Sequence, residues 1–119
     1  MRADFSDNGG LRVATLGGEL DMATFDDAEA MLLEAEQDRP PVLVLDLREL
    51  TFMDSNGLRL LLRARKRAAD DGRRLVLVRG QGIVQRVLEV AGIVERFEMV
   101  SDPLEADRSG IQPTPSGES

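Results

Sequence analysis

Val42-Leu43-Val44-Leu45-Asp46-Leu47 and, further on, Leu75-Val76-Leu77-Val78 are short apolar runs with almost no polar alternation. Pro or charged residues bound each of them, which is the pattern of a strand buried on both faces. Between them, residues 55–70 carry Leu58, Leu61, Leu62, Ala68 and Ala69 at helical spacing, and Gly72 follows as a stop. Two buried strands separated by a helix pair in parallel through a right-handed crossover, so this stretch alone implies an α/β fold.

The same alternation continues outward on both sides. Upstream, residues 24–37 read as a helix with Phe25, Ala28, Met31, Leu32 and Ala35 on one apolar face. Thr24 is placed as its N-cap with Asp27 three residues on, close to a capping box, and Pro40-Pro41 ends it. Residues 11–16 (LRVATL) read as a strand that Gly17-Gly18 is expected to break. Asn8-Gly9-Gly10 is the turn before it, with residues 2–5 as the other half of a hairpin. Downstream, Gly80-Gln81-Gly82 leads into a helix over about 83–91, with Ile83, Val87, Leu88 and Ala91 expected to face the core. Gly92 sits where a left-handed cap belongs. Residues 97–100 form a last short strand, and Pro103 suits the first turn of a short helix. The tail from Ser109 is built of Gly, Pro, Ser, Thr and Gln and is expected to be disordered. The expectation is one domain over residues 1–108, a small, mostly parallel mixed sheet with helices packed on it, followed by a tail over 109–119.

Composition removes several chemistries. The chain has no Cys and no His, so it lacks a thiolate nucleophile, a disulfide framework, the commonest general base and the commonest metal ligand. Fifteen basic against 22 acidic residues give a net charge of −7, which repels a phosphate backbone and argues against nucleic acid as a partner. The only aromatics are Phe5, Phe25, Phe52 and Phe97, expected in the core rather than on a stacking platform. No apolar run approaches spanning length and no leader pattern opens the chain, so no direct membrane insertion and a cytoplasmic location are expected. Asp21, Asp26, Asp27 and Asp54 are candidates for a carboxylate metal site, but Asp26 and Asp27 serve a helix N-terminus well, so no metal and no cofactor are expected. Gly80-Gln81-Gly82 lacks the Lys and the spacing of a phosphate loop.

The segment with most to say about function is Thr51-Phe52-Met53-Asp54-Ser55-Asn56-Gly57-Leu58, which joins the first buried strand to the Arg-rich helix. Asp, Ser and Asn are good caps and need no further reason to be there. Gly57, however, lies just inside a helix, where Gly costs about 1 kcal/mol relative to Ala, and is useful where another backbone or a partner comes close. The segment lies past the carboxyl end of a strand, where open α/β sheets carry their functional loops. A Ser hydroxyl at a helix N-terminus is well placed to bear a phosphate. Arg59, Arg63, Arg65, Lys66 and Arg67 follow on the helix. They read either as a solvated face or as a steering patch toward an acidic partner, with Arg59 one turn from Ser55.

Asp54-Ser55-Asn56-Gly57-Leu58, preceded by Phe52-Met53, resembles the D-S-x-G-L signature of the STAS-domain anti-sigma factor antagonists (anti-anti-sigma factors). Gly18-Glu19-Leu20-Asp21 is similar to that family's G-E-L-D corner, and Val90-Ala91-Gly92-Ile93 to the stretch after its third helix; the resemblance covers about residues 3–106. It implies a non-enzymatic protein that, when dephosphorylated, binds an anti-sigma factor with serine/threonine kinase activity and frees the sigma factor. It implies release on phosphorylation at Ser55 and resetting by a phosphatase. Asp21, Asp54, Asn56, Gly57, Leu58 and Arg59 would form the partner surface. Many such antagonists have Ser or Thr where this chain has Asn56, which leaves Ser55 as the local acceptor. The alternatives are a stand-alone STAS subunit of a membrane transporter or a stressosome scaffold component. An enzyme or nucleotide hydrolase is a third class, disfavoured by the missing nucleophile, base and phosphate loop.

Overall fold

The apolar runs become the two middle strands of a parallel array. β3 (Val42–Met53) and β4 (Arg74–Val78) pair in parallel from Val42 opposite Arg74 to Asp46 opposite Val78. The computed structural model describes residues 1–106, so the expected domain end at 108 and tail from 109 lie outside the described residues. β1 (Arg2–Asn8) and β2 (Leu11–Leu20) form an antiparallel hairpin at one edge, and β5 (Glu98–Val100) adds in parallel to β4. The sheet order is β1-β2-β3-β4-β5, with β2 to β5 parallel. The helices α1 (Phe25–Ala35), α2 (Ser55–Asp71) and α3 (Gly82–Val90) are the crossovers. A 3-10 turn (Ile93–Glu95) precedes β5, and a helical turn spans 103–106.

Right-handed crossovers that always step the same way along a sheet put every helix on one face. The core obeys this. Leu16, Leu43, Leu45, Leu47 and Leu77 pack against Leu32 of α1, Leu60 and Leu61 of α2, and Val84 and Leu88 of α3. On the other face Leu11, Val44, Val76, Val78 and Val100 form a second cluster with Ala106. Asp46 is buried, and Arg48, two residues on, donates to it from Nε at 3.0 Å and Nη2 at 2.8 Å. This pairing raises the Arg48 pKa above the usual guanidinium value and satisfies a carboxylate that would otherwise be costly to bury.

Several expectations need correction. Gly17-Gly18 does not break β2. The pairing with β3 shifts register between Thr15 and Gly17 and again at Glu19, and Gly18 takes φ 103°, so the strand absorbs the pair as an irregularity and runs on to Leu20. β3 likewise continues past Leu47 to Met53, opposite Leu20. On α2 the buried residues are Gly57, Leu60, Leu61, Ala64 and Ala68; Leu58 and Leu62 are half-buried and Ala69 is exposed. On α3, Val84 and Leu88 are buried while Ile83 and Ala91 point outward. Phe25 and Phe97 are core residues, but Phe5 and Phe52 are exposed. The expected Thr24 capping box is not formed, and no side chain caps α1. Among the described residues no helix is long and apolar enough to cross a membrane.

Candidate functional site

The extra length of β2 and β3 decides where the site lies. It carries both strands past the sheet body, so that the Asp54 N–H donates to the Leu20 carbonyl at 3.3 Å and Asp21 and Asp54 leave the sheet side by side. Asp54 is the N-cap of α2. Its Oδ1 accepts the Asn56 N–H at 2.9 Å, and its carbonyl accepts the Gly57 N–H at 3.0 Å. Ser55 is the first helical residue and is exposed. The carboxylate beside it takes a backbone amide rather than the Ser55 hydroxyl.

Gly57 is buried rather than turned to a partner. A methyl group there would lie 2.4 Å from Met53 Cγ and 3.1 Å from Leu20 Cδ2, so the bare backbone lets the first turn of α2 rest on the ends of β2 and β3. The close approach expected of this glycine is thus an internal one. Asp21, half-buried, shapes the neighbouring corner: its Oδ1 accepts the Thr24 N–H at 3.1 Å. Thr24 Oγ1 accepts the Asp21 N–H at 3.0 Å and donates to the Glu19 carbonyl at 2.8 Å. The Thr24 hydroxyl is therefore committed to this turn, which explains why it does not cap α1.

Asn56 is half-buried, and its Oδ1 faces Arg59 Nη2 at 3.4 Å. Arg59 lies over the Phe25 ring, its Cζ 4.2 Å from the centroid. Arg63 and Arg67 of the basic cluster also face α1. Arg63 pairs with Glu29 at 2.9 Å, and Arg67 reaches Glu36 through both Nε and Nη2 at 2.7 Å and Glu29 at 3.2 Å. The hydrogen bond to Glu36 raises the Arg67 pKa. Lys66 pairs with Asp70 at 3.3 Å and Arg65 donates to the Arg96 carbonyl at 3.0 Å. Most of the expected steering patch is thereby occupied with contacts inside the chain.

On its other side Ser55 borders a groove of about 390 Å³ between α2 and α3. Leu58, Ile83, Val87, Val90 and Ala91 wall it, and Asp54, Ser55 and Arg86 lie on its rim. Ile83 is 48% exposed and Val90 81%, so this is an apolar surface open to solvent. Sequence reasoning missed it by turning Ile83, Val87 and Ala91 inward. The signal was there, because apolar residues at 83, 84, 87, 88, 90 and 91 span too wide an arc for one buried face. Asp26 and Asp27 stand exposed on the first turn of α1, and among the described residues no three potential ligands gather into a metal site.

The STAS domain family profile matches residues 2–106. This chain belongs to the STAS domain family. It is 30% identical over 108 residues to the anti-sigma-F factor antagonist RsfB of Mycobacterium tuberculosis, covering 88% of both chains. Among solved structures, an anti-sigma factor antagonist from Mycobacterium paratuberculosis superposes with a TM-score of 0.79 at 27% identity, over 90% of this chain and 93% of that one. A putative antagonist from Thermotoga maritima superposes with a TM-score of 0.82 at 16% identity, over 90% and 92%, which shows a shared fold. STAS relatives named as antagonists thus share both the family and the architecture of this chain.

Proposed function

We propose that this chain is an anti-sigma factor antagonist, acting in the cytoplasm and switched by phosphorylation of Ser55. Dephosphorylated, it binds an anti-sigma factor that is also a serine/threonine kinase, and the sigma factor is freed. The kinase then transfers the γ-phosphoryl group of ATP to the Ser55 oxygen; ADP leaves, and the hydroxyl proton passes to a base on the kinase. The phosphorylated chain lets go, and a phosphatase resets it by hydrolysis. The chain itself is a binding protein without turnover of its own. One observation carries this reading: an exposed Ser hydroxyl on the first turn of a helix, beside an open apolar groove. Asp21, Asp54, Asn56, Leu58 and Arg59 complete the partner surface, with Gly57 holding it in place from below.

The magnitudes suffice for a switch. Phosphate adds about −1.5 to −2 charge at neutral pH. A partner carboxylate about 5 Å away costs about 3 kcal/mol per unit charge at an effective dielectric near 20. A total of about 5 kcal/mol exceeds the difference of about 4 kcal/mol between a nanomolar and a micromolar complex. The helix N-terminus accommodates the anion, so release comes from a damaged interface and not from unfolding. Ser55→Asp is therefore expected to weaken kinase binding at an almost unchanged Tm, and Ser55→Ala to bind without being released by ATP. Binding calorimetry and thermal melts on both variants check this. Equal affinity for the two variants, with no phosphate on Ser55 by mass spectrometry after incubation with kinase and ATP, would sink it.

A further inference from the structure

We propose that Arg59 is the phosphate-sensing residue of this chain: when Ser55 is phosphorylated, its guanidinium leaves the Phe25 ring and Asn56 and closes on the phosphate, baring the ring at the junction of α1 and α2. The inference rests on Ser55 being the modified residue and concerns what the chain then does by itself. Ser55 and Arg59 stand at i and i+4 on α2, stacked on one helical face with Cβ atoms about 6 Å apart, and both are exposed. An anion N-terminal to a cation at this spacing is the favourable order. In the unphosphorylated chain Arg59 is held, among the described residues, by weak partners only: the Phe25 ring at 4.2 Å and an Asn56 Oδ1 contact at 3.4 Å, at the long end for a hydrogen bond. Among the described residues it is the one member of the α2 basic cluster whose contacts are all with neutral groups on side chains, since Arg63, Lys66 and Arg67 are paired with carboxylates and Arg65 with a backbone carbonyl. A charge-assisted hydrogen bond to a phosphate dianion outweighs attraction to a ring quadrupole at a wet surface.

Moving Arg59 changes the surface one turn away. Phe25 is only 8% exposed with the guanidinium over it. Arg63 lies farther off, 6.0 Å from the ring centroid, and Glu29 holds it there, so it does not replace the lid. Phosphorylation therefore writes two marks: the phosphate itself, and an uncovered aromatic ring on α1. A phosphatase that selects the modified chain has both to read. Ser55 shares the groove rim with Asp54 and with Arg86 of α3, while Asp21 shapes the adjoining corner and Arg63 stands two turns along α2.

The test installs phosphoserine at position 55 of the full chain during translation, so that no kinase is needed, and follows it by phosphorus NMR against pH. The second phosphate pKa is near 6, and a guanidinium in contact lowers it. It is expected to be lower in the parent than in Arg59→Gln by at least about 0.3 pH unit. Arg59→Lys should recover part of the lowering, and Arg86→Gln should leave it in place. The Phe25 ring resonances are expected to move between the unmodified and phosphorylated parent and to stay put in Arg59→Gln. The same second pKa in the parent and Arg59→Gln, or a lowering that vanishes in Arg86→Gln instead, overturns the proposal. A kinase that never modifies Ser55 would defeat the switch described above while leaving this titration unaffected.

Discussion

Gly57 shows how one side chain's absence positions the Asp54–Ser55 helix start. Helix propensity alone says that Gly57→Ala gains about 1 kcal/mol. Packing says the opposite, because the added methyl meets Met53 Cγ at 2.4 Å and Leu20 Cδ2 at 3.1 Å, and both partners are fully packed. Overpacking of this kind costs about 1–3 kcal/mol. Gly57→Ala is therefore expected to destabilise the domain by up to about 2 kcal/mol, the overpacking cost less the propensity gain. It should also shift the first turn of α2, and urea denaturation reads the loss directly. A variant about 1 kcal/mol more stable than the parent would mean that Met53 yields without penalty. At this scale the cap was legible in the sequence: Asp54 before Ser55, Asn56 and Gly57 announces a helix start. The reason for Gly57 was not, because Leu20 comes to it from a strand far away in the chain.

At the scale of elements, the seam between α1 and α2 is held by charge as well as by Leu32, Leu60 and Leu61. Glu36, at the end of α1, takes both arms of Arg67 and lies 3.7 Å from Arg73, whose side chain is only 6% exposed. Asp71 also binds Arg73 at 3.0 Å. Removing one partner of a largely buried ion pair leaves the others uncompensated. Glu36→Ala is accordingly expected to cost about 3 kcal/mol, which a thermal melt at matched ionic strength would measure. A loss below about 1 kcal/mol would place this network with ordinary surface pairs. The sequence showed the basic stripe on α2, yet not its acidic counterpart, because Glu29 and Glu36 became its neighbours only through the crossover. The α3 face went astray for a related reason. A short helix with apolar residues on two sides does not reveal which side the sheet takes, and here Val84 and Leu88 won.

For the whole molecule, strand type and parallel pairing followed directly from VLVLDL and LVLV bracketing a helical pattern. The extra length of β2 and β3 did not, since a Gly pair normally ends a strand and only the register shift against β3 lets this one continue. The sheet face opposite α1, α2 and α3 sets how much of the carboxyl terminus the fold needs. Ala106 is fully buried there, and its carbonyl accepts a hydrogen bond from Arg74 Nη1 at 3.0 Å. A chain ending at Arg108 is expected to melt within about 1 kcal/mol of the full one, while a chain ending at Asp102 should lose about 2 kcal/mol with that burial and hydrogen bond. Comparing the three melts decides it, and a large loss at Arg108 would show that the remaining tail packs too. The order β1-β2-β3-β4-β5 has one more consequence. Each strand pairs with the one synthesised just before it, so a nascent chain leaving the ribosome never has to hold a place open for a strand not yet made. With the hairpin in place every later strand has a finished edge to dock on, and the helical turn carrying Ala106 follows β5 to cover the face opposite α1, α2 and α3.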